Sequence, residues 1–316
     1  MKVLLIQLDG KLPNHALMRI AKHHKERGDE VELSRSVYVG SRFDRIYASA
    51  IFTKSRPKVE LLKRYQPSAI VGGTGIDNLN KLSDVGITEE RADYSLWPEF
   101  KSSLGYTQRG CRLKCSFCGV PEKEGSPKVA NSIDDIWRGG GWPKEIFLLD
   151  NDFFGVPQWR DRIEELRDGG FKVSFNQGVN VRLMNEEQCE AVASVNYRDG
   201  DMKNKRFYTA WDNRKDEQIL FRGLNWLVKY GMKPDHIMVY MLLGYWPGET
   251  HADRDYRRQR LRDFGARPYP MPYQRTKELV GFQRWVIGAY DKRVNWTDWE
   301  AAEYEPRKLT GGIYAG

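Results

Sequence analysis

Leu104-Gly-Tyr-Thr-Gln-Arg-Gly-Cys-Arg-Leu-Lys-Cys-Ser-Phe-Cys-Gly119 runs from a strand-like stretch into a loop that holds three of the four cysteines in the chain. Cys111, Cys115 and Cys118 follow a C-x3-C-x2-C spacing. Thiolates held this closely on one short loop converge on a single centre, and thiolate is the ligand preferred by iron–sulfur clusters, zinc and copper(I). A closed structural zinc site takes four protein ligands, and no histidine lies between His24 and His236 to complete a local Cys3His set. Three cysteines without a local fourth predict a metal centre with one open position.

Outward from this loop, apolar runs alternate with helical patterns. Downstream, strands are expected at Leu104–Gln108, Glu145–Leu149, Lys172–Phe175, Arg206–Ala210, His236–Leu242 and Arg267–Met271. Helical patterns at Ser132–Trp137, Gln158–Arg167, Glu186–Val195, Asp216–Tyr230 and Ala252–Phe264 fall between them. Upstream, Lys2–Gln7 reads as a buried strand, Asn14 to Arg27 as a helix, and Glu30–Ser34 as a second strand. Arg45–Phe52, a Pro-initiated helix from Arg56 to Arg64, and Ser68–Gly73 continue the pattern. Strands alternating with helices imply parallel sheets and an α/β fold. Residues 77 to 100 are polar and read as a crossing linker. The expected division is 1–97, 98–290 and a C-terminal extension, 291–316.

The 316 residues suffice for one large domain or two ordinary ones. Apolar residues at 40% and charged residues at 30% fit a globular chain and exclude a disordered one. No apolar run approaches the length of a membrane span, and Met1–Ile6 is too short for a signal-peptide core, so the cytoplasm is the expected compartment. Clustered cysteines with one stray do not make a disulfide framework. Cys189 falls in an amphipathic pattern and reads as a small core residue. Lys and Arg number 51 against 43 Asp and Glu, a net charge of +8 that favours nucleic acid, nucleotides or other anionic partners.

The cysteine spacing, the aromatic Phe117 before the third cysteine and the strand-like Leu104–Gln108 together resemble the signature of the radical S-adenosylmethionine (radical SAM) superfamily. The resemblance implies a partial (β/α)6 barrel whose three cysteines hold three irons of a [4Fe-4S] cluster. S-adenosylmethionine then chelates the fourth iron, and an electron from the cluster cleaves it to methionine and a 5′-deoxyadenosyl radical that abstracts hydrogen from a substrate. A reductant such as flavodoxin or ferredoxin is the implied partner. The first hundred residues resemble the Rossmann-like cobalamin (B12)-binding domain that precedes many such cores. The motif Asp-x-His-x-x-Gly is replaced here by Asp9-Gly-Lys-Leu-Pro-Asn14. His15 is displaced from the axial-ligand position, which argues against bound cobalamin. Gly72-Gly-Thr-Gly-Ile76 reads as turn chemistry.

Functional groups of parallel barrels gather at the strand C-terminal ends. After the second strand stand Asp150, Asn151 and Asp152, where the family commonly carries a Gly-Gly-Glu-like segment that accepts from the methionine amine of the cofactor. After the third come Gln177 and Arg182, the arginine a candidate for the methionine carboxylate. After the fourth, Asp212 and Asn213 suit ribose hydroxyls or cap a helix. On the fifth, Tyr240 and Met241 resemble the segment that borders the adenine. Arg254 to Arg262 places five arginines on one predicted helix. Arg257, Arg258 and Arg260 are candidates for an anionic substrate path, against a solvated helix face. Two further readings stay open: a cobalamin-dependent radical SAM methyltransferase, and a zinc-stabilised nucleic-acid-binding module without catalysis.

Overall fold

A computed structural model of the chain describes residues 1–40, 42–76, 81–88 and 91–306. The last ten residues of the expected C-terminal extension and residues 77–80 and 89–90 of the expected linker lie outside the described residues.

The chain is α/β, built on parallel sheets. Its first sheet comprises β1 (Lys2–Gln7), β2 (Glu30–Ser34), β3 (Arg45–Ser49) and β4 (Ile70–Gly72) in the order β2-β1-β3-β4, with α1 (His15–Glu26) and α2 (Arg56–Tyr65) as crossovers. Strand β1 is buried on both faces because it is apolar at successive positions. Val3 and Leu5 pack toward α1 residues Leu17, Met18 and Ala21, whereas Leu4 and Ile6 pack with Leu62 of α2. Asn14 caps α1 by accepting from the Leu17 amide at 3.1 Å.

The second series comprises β5 (Ser103–Gly105), the antiparallel pair β6 (Gln108–Arg109) and β7 (Lys128–Val129), then β8 (Glu145–Leu148), β9 (Lys172–Phe175), β10 (Asn196–Tyr197), β11 (Phe207–Ala210), β12 (Ile237–Leu243) and β13 (Arg267–Pro272). Helices α3 (Val120–Glu124), α4 (Ile133–Ile136), α5 (Trp159–Asp168), α6 (Glu186–Ser194), α7 (Glu217–Lys229), α8 (His251–Phe264), α9 (Lys277–Ile287) and α10 (Trp296–Ala301) are interspersed. The strands form two parallel ladders, β10-β9-β8-β5 and β11-β12-β13. Between them β9 and β11 share no ladder, although just past β9 the Val179 amide donates to the Tyr208 carbonyl of β11 at 2.8 Å. The expected strand Leu104–Gln108 is thus divided: Tyr106 and Thr107 leave the ladder, and the chain re-enters as a short hairpin that carries the cysteine loop.

Ile146, Leu148, Val173, Phe175, Val239, Met241 and Leu243 point into one core with the helices. That core also takes Trp299 and Tyr304, so the C-terminal segment, expected to be an extension, packs as part of the second unit. A separate cluster joins the two units: Val3, Leu5 and Met18 meet Trp97, Leu104 and Phe147. Linker residue Tyr94 seals the edge of β5, its hydroxyl accepting from the Leu104 amide at 2.8 Å and donating to the Leu104 carbonyl at 3.2 Å. The N-terminal sheet is thereby docked on β5 and β8.

Candidate functional site

The cysteine loop leaves β6 through Gly110, whose φ of +86° and 2.4 Å approach of a would-be Cβ to the Ser126 carbonyl oxygen leave room for glycine only. Its far end runs into α3, and Glu124 of that helix holds the loop entrance, accepting from Arg109 at 2.9 Å and from the Gly110 amide at 3.0 Å. Cys111 and Cys115 are half-buried and Cys118 is exposed. Burial pushes the Cys111 and Cys115 thiols up from their ordinary value, and each also feels the neighbouring cysteines of the loop. The three thiols share one loop, yet among the described residues no group of three or more Cys, His, Asp and Glu side chains is arranged to hold a metal ion.

The segment after β8 braces this loop. Asp150 is buried and accepts from the Thr107 amide at 2.8 Å, from the Thr107 hydroxyl and, at 3.4 Å, from the Gln108 amide. Burial still pushes its carboxyl up to about 7, against those hydrogen bonds. Asn151 donates to Glu124 at 3.2 Å. Asp152 takes Arg112 of the loop in a bidentate pair at 2.8 and 2.9 Å and also accepts from the Arg112 amide at 3.0 Å. The residues expected to meet a cofactor amine are therefore engaged in holding the cysteine loop, because a carboxylate beside backbone donors satisfies them first.

Later strand ends reach the same loop. Arg182 and Asp212, which follow β9 and β11, lie near enough to Cys115 to act on its thiol electrostatically. Phe117 packs edge-on against Tyr245 and Trp246 beyond β12, with ring centroids 5.4 and 6.5 Å apart. Arg182, the candidate carboxylate binder, is already paired with Asp216, lies 3.9 Å from Asp212 and donates to Asn180 at 3.0 Å. Burial raises the Asp212 carboxyl, opposed by Arg182 and Arg257. Asn213 caps the turn at Arg214–Asp216, accepting from the Lys215 amide at 3.0 Å. Gln177 is exposed after β9.

Two groups of candidates lie away from solvent. Met241 is fully buried: residues 237, 239, 241 and 243 of β12 share the core face, so Tyr240 stands on the opposite one. There Tyr240 stacks on Tyr208 at 5.7 Å and meets Tyr269 edge-on at 5.5 Å. Arg257 and Arg258 do not line a surface path. Arg257 is 1% exposed, pairs with Glu249 and donates to the Trp211 and Leu242 carbonyls at 2.9 and 3.0 Å. Arg258 is buried between Asp255 at 2.6 Å and Asp291 at 3.1 Å. Arg260 alone of the three is exposed, and it pairs with Glu217 at 2.9 Å. Arginines at positions 254, 257 and 258 share a helical face with Leu261, spacing that foretells burial.

Sequence reasoning missed Glu124 and Glu249, which have no spacing signal, and Gln108, which does the least that its chemistry allows. The Gln108 side chain is buried at 1% exposure, and neither its oxygen nor its nitrogen has a hydrogen-bond partner among the described residues. Leaving a buried polar group unmet costs about 1–3 kcal/mol.

In the N-terminal unit Lys11 stands at the histidine position of the Asp-x-His motif. Asp9 is tied to the Ile51 and Phe52 amides at 2.9 and 3.0 Å, and His15 is buried against Tyr106 with ring centroids 5.4 Å apart. A recess of about 490 Å³ opens between α1, residues 91–94 and residues 131–142, away from the cysteines. Among the charges lining it, Lys22 pairs with Glu26, Lys25 with Asp93 and Arg91 with Asp135, while Arg138 lies over the Tyr94 and Trp142 rings. No helix among the described residues is long and apolar enough to cross a membrane. Comparison of the chain with family models, with curated proteins and with solved structures found no match.

Proposed function

We propose that the chain is a radical SAM enzyme acting by hydrogen abstraction on a substrate still to be identified. The observation that carries the reading is the position of the C-x3-C-x2-C loop. It follows the parallel strand β5 by way of the short hairpin strand β6, and residues that follow four other parallel strands, β8, β9, β11 and β12, lie against it. In this reading β5, β8, β9, β11, β12 and β13 are the six strands of the partial barrel, read in chain order.

Cys111, Cys115 and Cys118 would hold the [4Fe-4S] cluster. The chemistry supplied by cluster and S-adenosylmethionine together is reductive cleavage of the sulfonium to a carbon radical. The residues of the chain position and enclose. The Arg112–Asp152 pair fixes the loop, Glu124 fixes its entrance, and Phe117, packed on Tyr245 and Trp246, anchors the loop beside the third cysteine in sequence. The arginine helix lends no support to a nucleic-acid path, so an anionic substrate rests on net charge alone.

The test is anaerobic reconstitution of the full chain. Iron and sulfide at about four each per chain, with dithionite-dependent release of 5′-deoxyadenosine from S-adenosylmethionine, are the expected result. Stoichiometric zinc without iron would replace this reading with the zinc-stabilised module. A corrinoid that survives desalting would revive the methyltransferase.

A further inference from the structure

We propose that the C-terminal edge of the N-terminal sheet is a docking surface for single-stranded nucleic acid, which makes a polynucleotide the substrate of the reaction proposed above. The role as substrate rests on the radical SAM reading, whereas the docking surface stands without it.

Helix α8 gives the positive charge of the chain no outlet, but this edge does. Lys11 follows β1, Arg35 follows β2, Lys54 and Lys58 follow β3, and all four are exposed. None of them is paired with a carboxylate among the described residues. Arg35 donates to the Gly10 carbonyl at 2.8 Å and Lys58 to the Leu8 carbonyl at 3.1 Å, which orients both heads without cancelling their charge. Asp9, the carboxylate of the β1 loop, already accepts from the Ile51 and Phe52 amides at 2.9 and 3.0 Å. Those bonds tie the loops after β1 and β3 together, so the edge offers a surface in place of a pocket.

The same two loops hold Leu12, Ile51 and Phe52 at 41, 39 and 48% exposure. They are not slack. Beyond β4 the Gly75 amide donates to the Ala50 carbonyl and the Thr74 hydroxyl to the Ile51 carbonyl, both at 2.9 Å. A Cβ on Gly75 would fall 2.4 Å from the Phe52 carbonyl carbon, so this turn grips the loop from behind. A loop pinned on both sides that still holds apolar side chains in water marks an interaction surface. Cations interleaved with an aromatic ring match a chain in which phosphates repeat beside flat bases, the cations taking the phosphates and Phe52 a base. The three strands that carry them span two ladder spacings, about 10 Å, and so front a run of phosphates and not one. A duplex keeps its bases in the stack, and only an unpaired strand can use the apolar residues. The edge also adjoins the approach to the cysteine loop. His15, just past β1, meets Tyr106 with ring centroids 5.4 Å apart, and Tyr106 stands five residues before Cys111.

The experiment titrates labelled, unpaired DNA and RNA oligomers of about 16 nucleotides against the reconstituted full chain, read by fluorescence anisotropy across a salt series. Phe52→Ala and the triple variant Lys11→Gln, Lys54→Gln, Lys58→Gln are compared with the parent. All four positions are exposed, so iron content and melting temperature should hold. The parent should bind one or both oligomers, with the logarithm of affinity falling linearly in the logarithm of salt concentration. The triple variant should flatten that slope by about two, at roughly 0.7 for each lost phosphate contact. Phe52→Ala should weaken binding about fivefold or more and leave the slope unchanged. A parent that takes up its cluster but binds neither oligomer at low salt overturns the inference, as does an unchanged slope in the triple variant or unchanged affinity in Phe52→Ala. Duplex DNA or polyglutamate that binds as tightly as the unpaired strand overturns it as well, the second in favour of an acidic protein partner. A parent without iron that binds with the expected slope keeps the docking surface and defeats the radical SAM reading alone.

Discussion

The cysteine loop and the arginine-bearing helix α8 each concentrate reactive or charged side chains, and the structure treats them in opposite ways. On α8, Arg254, Arg257, Arg258 and Arg262 each meet a carboxylate, and Arg257 and Arg258 are buried with theirs. On the loop, Glu124 and Asp152 are engaged in holding the backbone, while the three thiols are left free of disulfides, the last of them exposed. Residue type alone does not distinguish a site from a strut. The distinction lies in whether the groups have already found partners within the chain.

The largest expected effect sharpens this contrast at the cysteines. Replacing Cys111, Cys115 or Cys118 singly with alanine should abolish iron–sulfur absorbance and all cleavage of S-adenosylmethionine, since each would hold one iron. Cys189→Ala should leave both intact. Cys189 is fully buried in the core, and burial pushes its thiol up to about 12, so it acts as a small apolar side chain. Its loss should cost stability on the order of 1 kcal/mol in urea unfolding. A Cys118→Ala protein that retains a full cluster would erase the difference between the two kinds of cysteine.

On α8 the expected effect is structural. Arg257→Met leaves Glu249 buried and unpaired, along with the carbonyls of Trp211 and Leu242 at the ends of β11 and β12, and should destabilise by roughly 3–5 kcal/mol. Arg260→Ala removes an exposed partner of Glu217 and should leave stability nearly unchanged. Urea unfolding of the two variants checks the ordering. Near-equal losses would mean that burial does not separate the arginines.

Much of this was legible in the sequence where periodicity carries the information. Strand β9 spans Lys172–Phe175 as expected, and α6 differs from its expected span by one residue, because apolar spacing and the Asn185 cap mark both. The break at Tyr106–Thr107 was not legible, since a strand that leaves its ladder for two residues keeps the same composition. Nor was the brace at 150–152: three acidic and amide residues after a strand are compatible with a ligand or with a loop, and only the loop's approach decides. The arginine face was legible but overlooked, because its i, i+3, i+4, i+7 spacing runs through Leu261. Gln108 gives no sequence signal, as an orphaned amide is defined by what fails to reach it.

The junction between the two units extends the same contrast to a titrating group without a partner. His15 opens α1, at the positive end of the helix, and faces Tyr106 with Arg19 and Arg109 as its charged neighbours. Burial, reinforced by both arginines, pulls its imidazole down from 6.5 to about 3. Between those values the unfolded chain holds a proton that the folded chain does not, so the contribution of His15 is complete above about pH 6.5 and is lost progressively as pH falls. From neutral pH to pH 5 the loss should reach roughly 2 kcal/mol, less than the cost of breaking the Arg257 pair. His15→Phe retains a ring against Tyr106 and cannot take up the proton. Its unfolding free energy should therefore fall less steeply than that of the parent over the same range. Parallel pH profiles for the two proteins would show that His15 is solvated or paired, and that the docking of the N-terminal sheet on β5 does not depend on keeping that ring neutral.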